Sequence, residues 1–159
     1  MKRITASVAV AVIFSASLYS FKSDTIRISV SGPGLTSPIH VSQETEKFQV
    51  WAGPGTSSNE AQSVIVDWAA GAVEPRPVSQ ALYKVTLETN RKNPSSYVVY
   101  YSFDPRVGGG FVYVPGKADP EYKDNVSLIN RGVEGKWFHA WTEWDRLVQP
   151  MINAAQNAR

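Results

Sequence analysis

From residue 82 to residue 88 the side chains alternate in character. Tyr83, Val85 and Leu87 are apolar, while Lys84, Thr86 and Glu88 are polar. Successive side chains leave a strand on opposite sides, so this period of two predicts a strand with one covered face. A β-branched and aromatic run follows at residues 96–103, and another at 111–114. The polar turn at 90–94 and the Gly-rich loop at 104–110 separate them. Residues 82–114 therefore read as a three-strand meander at the centre of a sheet.

The same pattern recurs elsewhere in weaker form. Ile26, Ile28 and Val30 alternate with Arg27 and Ser29, and Ile39 and Val41 flank His40. Gly32, Pro33 and Gly34 lie between these runs and supply turn geometry, which predicts a hairpin or a tight crossing. Phe48 and Val50 predict a third short strand with Lys47, Gln49 and Trp51 on its other side. Residues 64–68 form an apolar run. Gly71, Pro75 and Pro77 exclude a regular helix or a central strand over residues 69–80. Val126 and Leu128 predict a weak strand, and residues 136–140 a last one.

The period then changes. Trp144, Leu147, Val148, Met151 and Ile152 fall on one helical stripe. Thr142 and Asp145 have the spacing of a loose capping box, and Pro150 predicts a kink. The fold class is mainly β, of the α+β type. The expectation is an antiparallel β-sandwich or barrel-like sheet of eight or nine short strands with one C-terminal helix over residues 143–156.

Residues 1–20 have a different composition. Lys2 and Arg3 precede an uncharged, largely apolar run from residue 4 to residue 19, which ends among small side chains. That order of parts reads as a cleaved signal peptide. The run is shorter than the about 20 apolar residues of a spanning helix, so membrane attachment would come only through this segment left uncleaved. The expected localisation is export, to a periplasm or the medium, and residues 21–159 form a single β-rich domain. The chain has no cysteine. Disulfides and lipid attachment through a thiol are thereby excluded, and an exported cysteine-free chain suits a bacterial envelope.

The signal segment also alters the charge balance. The chain carries 16 Lys and Arg against 14 Asp and Glu; with Lys2 and Arg3 removed, each sign counts 14. A neutral domain has no electrostatic footprint for nucleic acid. No phosphate-loop, zinc-protease or nucleophile-elbow motif is present, so no nucleotide, cofactor or metal is implied. His40 and His139 are the two histidines. Either would serve as a base in a hydrolase of envelope or extracellular polymers if a carboxylate stood beside it. The plainer expectation is a solvent-facing His40 and a packed or partly buried His139. Asp67, Glu88, Asp104 and Glu143 lie at the ends of elements, and nothing in the sequence pairs them. Residues 119–125 collect three carboxylates and an amide, with Lys123 among them, which reads as a solvated loop rather than a calcium site.

Aromatic content is the feature that bears on binding. The chain has five Trp, seven Tyr and six Phe. Tyr97, Val99, Tyr101 and Phe103 share one strand face and are expected in the core, which turns Tyr100 to the other face. Trp137, Trp141 and Trp144 are expected at the hinge into the helix and in the core. Trp51 and Tyr100 are the candidate binding residues, because flat rings with polar handles suit a sugar or a protein surface. The function expected is a non-enzymatic binding or structural module with a glycan or an envelope protein as partner. The alternative is the His/carboxylate hydrolase.

Overall fold

The computed structural model describes residues 24–50, 62–74, 81–90, 96–104, 106, 108–125 and 132–158. The expected signal peptide, Trp51, the loop at 53–61, the turn at 91–94 and the strand expected at Val126 and Leu128 lie outside them.

The meander forms as its alternation dictates. Strands β1 (Thr25–Ser31), β2 (Ile39–Val41), β3 (Gln62–Ser63), β4 (Val66–Asp67), β5 (Ala72–Val73), β6 (Leu82–Thr89), β7 (Ser96–Phe103), β8 (Gly110–Val114) and β9 (Lys136–His139) are joined by α1 (Tyr122–Asn125) and α2 (Thr142–Asn157). Seven strands make one antiparallel sheet in the order β2-β1-β6-β7-β8-β9-β5, and β3 pairs with β4 alone. The fold is mainly β with one long C-terminal helix, and the sheet is open rather than closed into a barrel. Strand β7 is its central strand. Among the described residues, the Pro- and Gly-bearing stretch after residue 68 contributes the two-residue edge strand β5. Among the described residues no helix is long and apolar enough to cross a membrane.

The two faces of the sheet have different fates. The inner face carries Ile28, Val85, Leu87, Tyr97, Val99 and Val112, all fully buried. Helix α2 lays Trp144, Val148 and Ile152 against it, and Leu147 and Met151 flank that seam. Trp144 meets Phe48 and Tyr101 edge-on, with ring centroids 5.3 Å and 6.0 Å away. Such contacts add to what burial of these rings contributes.

Three local expectations are corrected. The capping box does not form: Trp141 is the N-cap and makes no side-chain cap bond. Asp145 instead turns its carboxylate to the sheet, accepting from the Tyr101 hydroxyl at 2.5 Å and the Gly110 amide at 2.8 Å. Residues 48–50 are not a strand. Phe48 and Val50 are buried, but so is Gln49, whose side chain accepts from the Thr25 amide and so takes the place of a pairing strand. Trp137 belongs neither to the hinge nor to the core; it stands half-buried on the outer face of β9.

The β3–β4 turn is driven inward. Val64 and Ile65 at its tip are 1% and 0% exposed, and Val64 has a φ of 61°. A β-branched residue is strained there. Its surroundings hold it in place: the Val64 amide donates to the Gln49 carbonyl, and the Ile65 carbonyl accepts from the Trp141 amide at the start of α2.

Gly110 lies where helix and sheet come close together. A Cβ there would stand 2.6 Å from Asp145 Oδ1 and 2.7 Å from the Tyr101 hydroxyl oxygen. Gly110→Ala is expected to destabilise the protein by about 1–3 kcal/mol through overpacking. A lowered urea midpoint with unchanged slope checks it; an unchanged midpoint would show that the three groups do not meet.

Candidate functional site

Pairing register converts single residues into a site. On the outer face Lys84 stands opposite Tyr100, Tyr100 opposite Tyr113, Tyr113 opposite Trp137, and Trp137 opposite Val73. One line of side chains thus crosses five strands, with three aromatic rings at its middle. All three rings are half-buried. Tyr100 and Tyr113 have centroids 6.4 Å apart and planes 34° apart; for Tyr113 and Trp137 the values are 5.3 Å and 35°. In the next register line Phe111 faces His139, with centroids 5.2 Å apart.

An acidic strap fixes one side of this row. Strand β8 ends at Val114, and Pro115 has no N–H with which to continue the ladder. The side-chain amide of Asn125 takes over: its oxygen accepts from the Val98 amide at 2.9 Å, and its nitrogen donates to the Val98 carbonyl at 2.6 Å. Asn125 is 1% exposed, so both backbone groups are satisfied in a dry place. The segment between carries the two carboxylates that meet the row. Tyr100 donates to Glu121 at 2.7 Å and Tyr113 to Asp119 at 2.7 Å. Asp119 also accepts from the Gly116 amide, and Lys84 pairs with Glu121 at 3.2 Å. Residues 119–125 are therefore more than a solvated loop: Pro120, Lys123 and Asp124 are exposed, but Asp119, Glu121 and Asn125 bond to the sheet or its end. Their carboxylates clamp the strap to the sheet, and residues 122–125 form one helical turn.

The electrostatics follow from this geometry. Burial, reinforced by the hydrogen bond to Glu121 and its charge, pushes the Tyr100 hydroxyl up to about 12. The hydrogen bond from Tyr100 holds the Glu121 carboxyl below its usual range against the opposing effect of burial, and Lys84 adds to it.

The other candidates are dispersed. His40 is exposed on edge strand β2 and lines a cleft of about 260 Å³ with Val41, Leu147 and Met151. His139 is exposed on β9 rather than packed, because Phe138 and not its neighbour faces inward. The two histidines lie at opposite sides of the sheet, roughly 24 Å apart at the usual strand spacing. Among the described residues no hydrogen bond joins either to a carboxylate. The four carboxylates at element ends are already engaged: Glu88 pairs with Arg27 across strands, Asp104 with Arg106 and Glu143 with Arg146, while Asp67 accepts from the Ala69 amide. A second, shallow cleft of about 660 Å³ runs beside α2 past Asp145, Arg146 and Gln149. Among the described residues no group of three or more His, Asp or Glu is placed to hold a metal ion.

Sequence reasoning placed Tyr100 on this face but missed Phe111, Tyr113, Trp137, Asp119 and Glu121. Alternation in β8 and β9 already turned Tyr113 and Trp137 outward. What it lacked was the register that sets them beside Tyr100.

Comparison with protein-family models, curated proteins and solved structures found no match for this chain. The class that fold and site define is therefore structural: an open antiparallel sheet, covered by one helix on its inner face and carrying an aromatic row on the other.

As pH rises above 10, an unfolded chain gives up tyrosine protons that Tyr100 still holds. Stability should therefore fall with rising pH between about 10 and about 12. Ultraviolet titration should show Tyr100 ionising near the upper end of that window. In Glu121→Gln its midpoint should move toward 10 without reaching it, since burial remains. A midpoint unaffected by the substitution would refute the Tyr100–Glu121 bond.

Proposed function

We propose that this chain is an exported, non-enzymatic binding module that holds a glycan on the row Tyr100, Tyr113 and Trp137. The observation that carries the reading is the row itself: three half-buried rings at one register position of three adjacent strands. A sugar ring has a face of C–H bonds and an edge of hydroxyls. Aromatic faces attract the first, and tyrosine oxygens and carboxylates accept from the second. The Tyr100 hydroxyl already donates to the strap, so its oxygen keeps acceptor capacity toward a ligand. The balanced charge of residues 21–159 favours an uncharged ligand over a polyanion. Trp51, the other ring singled out from sequence, lies outside the described residues and takes no part in this argument.

The hydrolase alternative draws no support from the geometry, because neither histidine has a carboxylate partner among the described residues. Export rests on the cationic start and the short apolar run of residues 1–20. N-terminal sequencing of the protein recovered from an expressing bacterium should give a start near Leu18 or Phe21. A start at Met1 would reject cleavage.

Binding is tested on a glycan array with the full chain. Tyr113→Ala and Trp137→Ala should each weaken retention on the order of tenfold, the scale of one lost aromatic contact. His40→Ala, on the far edge strand, should leave it unchanged. Equal retention by the double variant Tyr113→Ala/Trp137→Ala would exclude the row as the binding surface.

A further inference from the structure

We infer that the protein forms a two-fold dimer by pairing the free edge of β2 with the same edge of a second copy, helix α2 of each copy closing over the junction.

The direction of the backbone groups comes first. On β7 the Asn125 side-chain amide bonds both the N–H and the C=O of Val98, on the side where β8 pairs. Alternation then turns the same groups of Tyr97 and Val99 toward β6. Their register partners are Leu87 and Val85, so Thr86 and Glu88 turn the other way, toward β1. Ser29 faces Thr86, which leaves Ile28 and Val30 to bond β2. Val41 and Ile39 are the partners of those two, so their N–H and C=O are engaged on β1. His40, between them, directs its own N–H and C=O to the open edge, and Ser42 follows on the same alternation. Among the described residues no strand lies beyond β2, and no hydrogen bond reaches the backbone of His40 or Ser42.

An edge of this kind is a template for another strand. Residues 35–43 carry no charge that would deter pairing, and β2 runs against β1 without a bulge. The opposite edge strand, β5, is two residues long and is followed by Glu74.

The edge fits its own copy. With a two-fold axis at Val41, His40 stands opposite the second copy's Ser42, and Ser42 opposite its His40. Each pair exchanges N–H and C=O, so every outward group of both residues is satisfied. Val41 meets its own counterpart on the inner face. No like charges are opposed, and Glu44 and Arg146, which adjoin these residues in sequence, pair with each other at 3.6 Å.

Strand pairing alone is too small for a dimer, since specific interfaces bury about 1,200–2,000 Å² in total. The helix supplies the rest. Leu147 and Met151 are half-buried and, with His40, Val41, Ser42 and Gln43, line a cleft of about 260 Å³ along this edge. The cleft is centred where the axis falls. That axis stands normal to the sheet, so the second copy's α2 lies on the same face. Its Leu147 and Met151 close against the first pair over both Val41 side chains. An interface of this size is weak, with dissociation in the micromolar range. It shares no residue with the aromatic row, so it holds with or without a glycan.

The experiment is sedimentation equilibrium of the protein recovered from an expressing bacterium, over about 1–300 µM, a range that brackets such a constant. The molar mass should rise from one chain to two. Met151→Lys sets two ammonium groups across the axis and should weaken association at least about tenfold, with the circular dichroism unchanged. Ala72→Lys, on the opposite edge, should leave association as it was. The chain has no cysteine, so the double variant His40→Cys/Ser42→Cys tests the register. Opposed Cα atoms of a bonded pair lie about 5.5 Å apart, within disulfide reach. Mild oxidation should therefore give a covalent dimer from the double variant and monomer from either single one, whose thiols are offset along the strands. A single-chain mass at every concentration, undiminished association in Met151→Lys, or no covalent dimer from the double variant would overturn the inference. An added mass unlike that of one chain would mark a foreign occupant and overturn it as well.

Discussion

The carboxylate of Asp145 is the tie on which the arrangement of this molecule depends. It lies on the first turn of α2, accepts from Tyr101 at the centre of the sheet, and accepts again from the Gly110 amide where β8 begins. Gln149, one turn further along, donates to the same Tyr101 hydroxyl. A tyrosine buried this deeply holds its proton strongly; burial is the main cause, and the adjacent Asp145 charge adds to it. The bond therefore keeps its donor throughout the physiological range. Apolar packing of Trp144, Val148 and Ile152 would allow the helix to slide along the sheet. A directional bond to two fixed donors does not, and Gly110 leaves no room for anything else at that point.

Fixing the helix on the inner face leaves the outer face free of α2. The inner side chains are aliphatic or fully enclosed aromatics, whereas the outer face mixes half-buried rings with cross-strand pairs such as Arg27 and Glu88. Exposed pairs of that kind contribute little to stability. The outer face is thus lightly constrained by folding, except where the strap crosses it. There Asn125 supplies the ladder bonds that Pro115 cannot, and this anchors the segment that bears Asp119 and Glu121. Ladder repair and site construction are one event in this chain.

How much of this was legible in the sequence follows from the range of each interaction. Alternation is a property of neighbours, so the meander, its buried face and the outward turn of Tyr100 could be read directly. The α2 stripe was equally local, and Trp144, Val148 and Ile152 all bury. Long-range substitutions for a local pattern could not be read. Gln49 acts as the missing partner of Thr25 across 24 residues, and Asn125 acts as a strand for Val98 across 27. Asp145 has the spacing of a cap and serves a tyrosine 44 residues away instead. Trp137 was misplaced for the same reason: helical spacing to Trp141 and Trp144 was visible, while its strand partner Tyr113 was not. The candidate site is made almost wholly of such distant pairings, so its members were individually visible and collectively hidden.

The strap also bears on how well the row would serve in the proposed binding role. An exposed tyrosine that docks a ligand loses the freedom of its side chain and must offset that loss before any affinity appears. Tyr100 and Tyr113 have lost it already, because each hydroxyl is held by a carboxylate whose own backbone is anchored at Asn125 or Gly116. The Glu121 carboxyl titrates below its usual range, so acidification removes this restraint only after ordinary glutamates have protonated. Asp119 and Glu121 thus need not touch a ligand to matter to it. They act through the rings they hold, so the strength of the row as a surface is set by residues that a list of contacting side chains would omit.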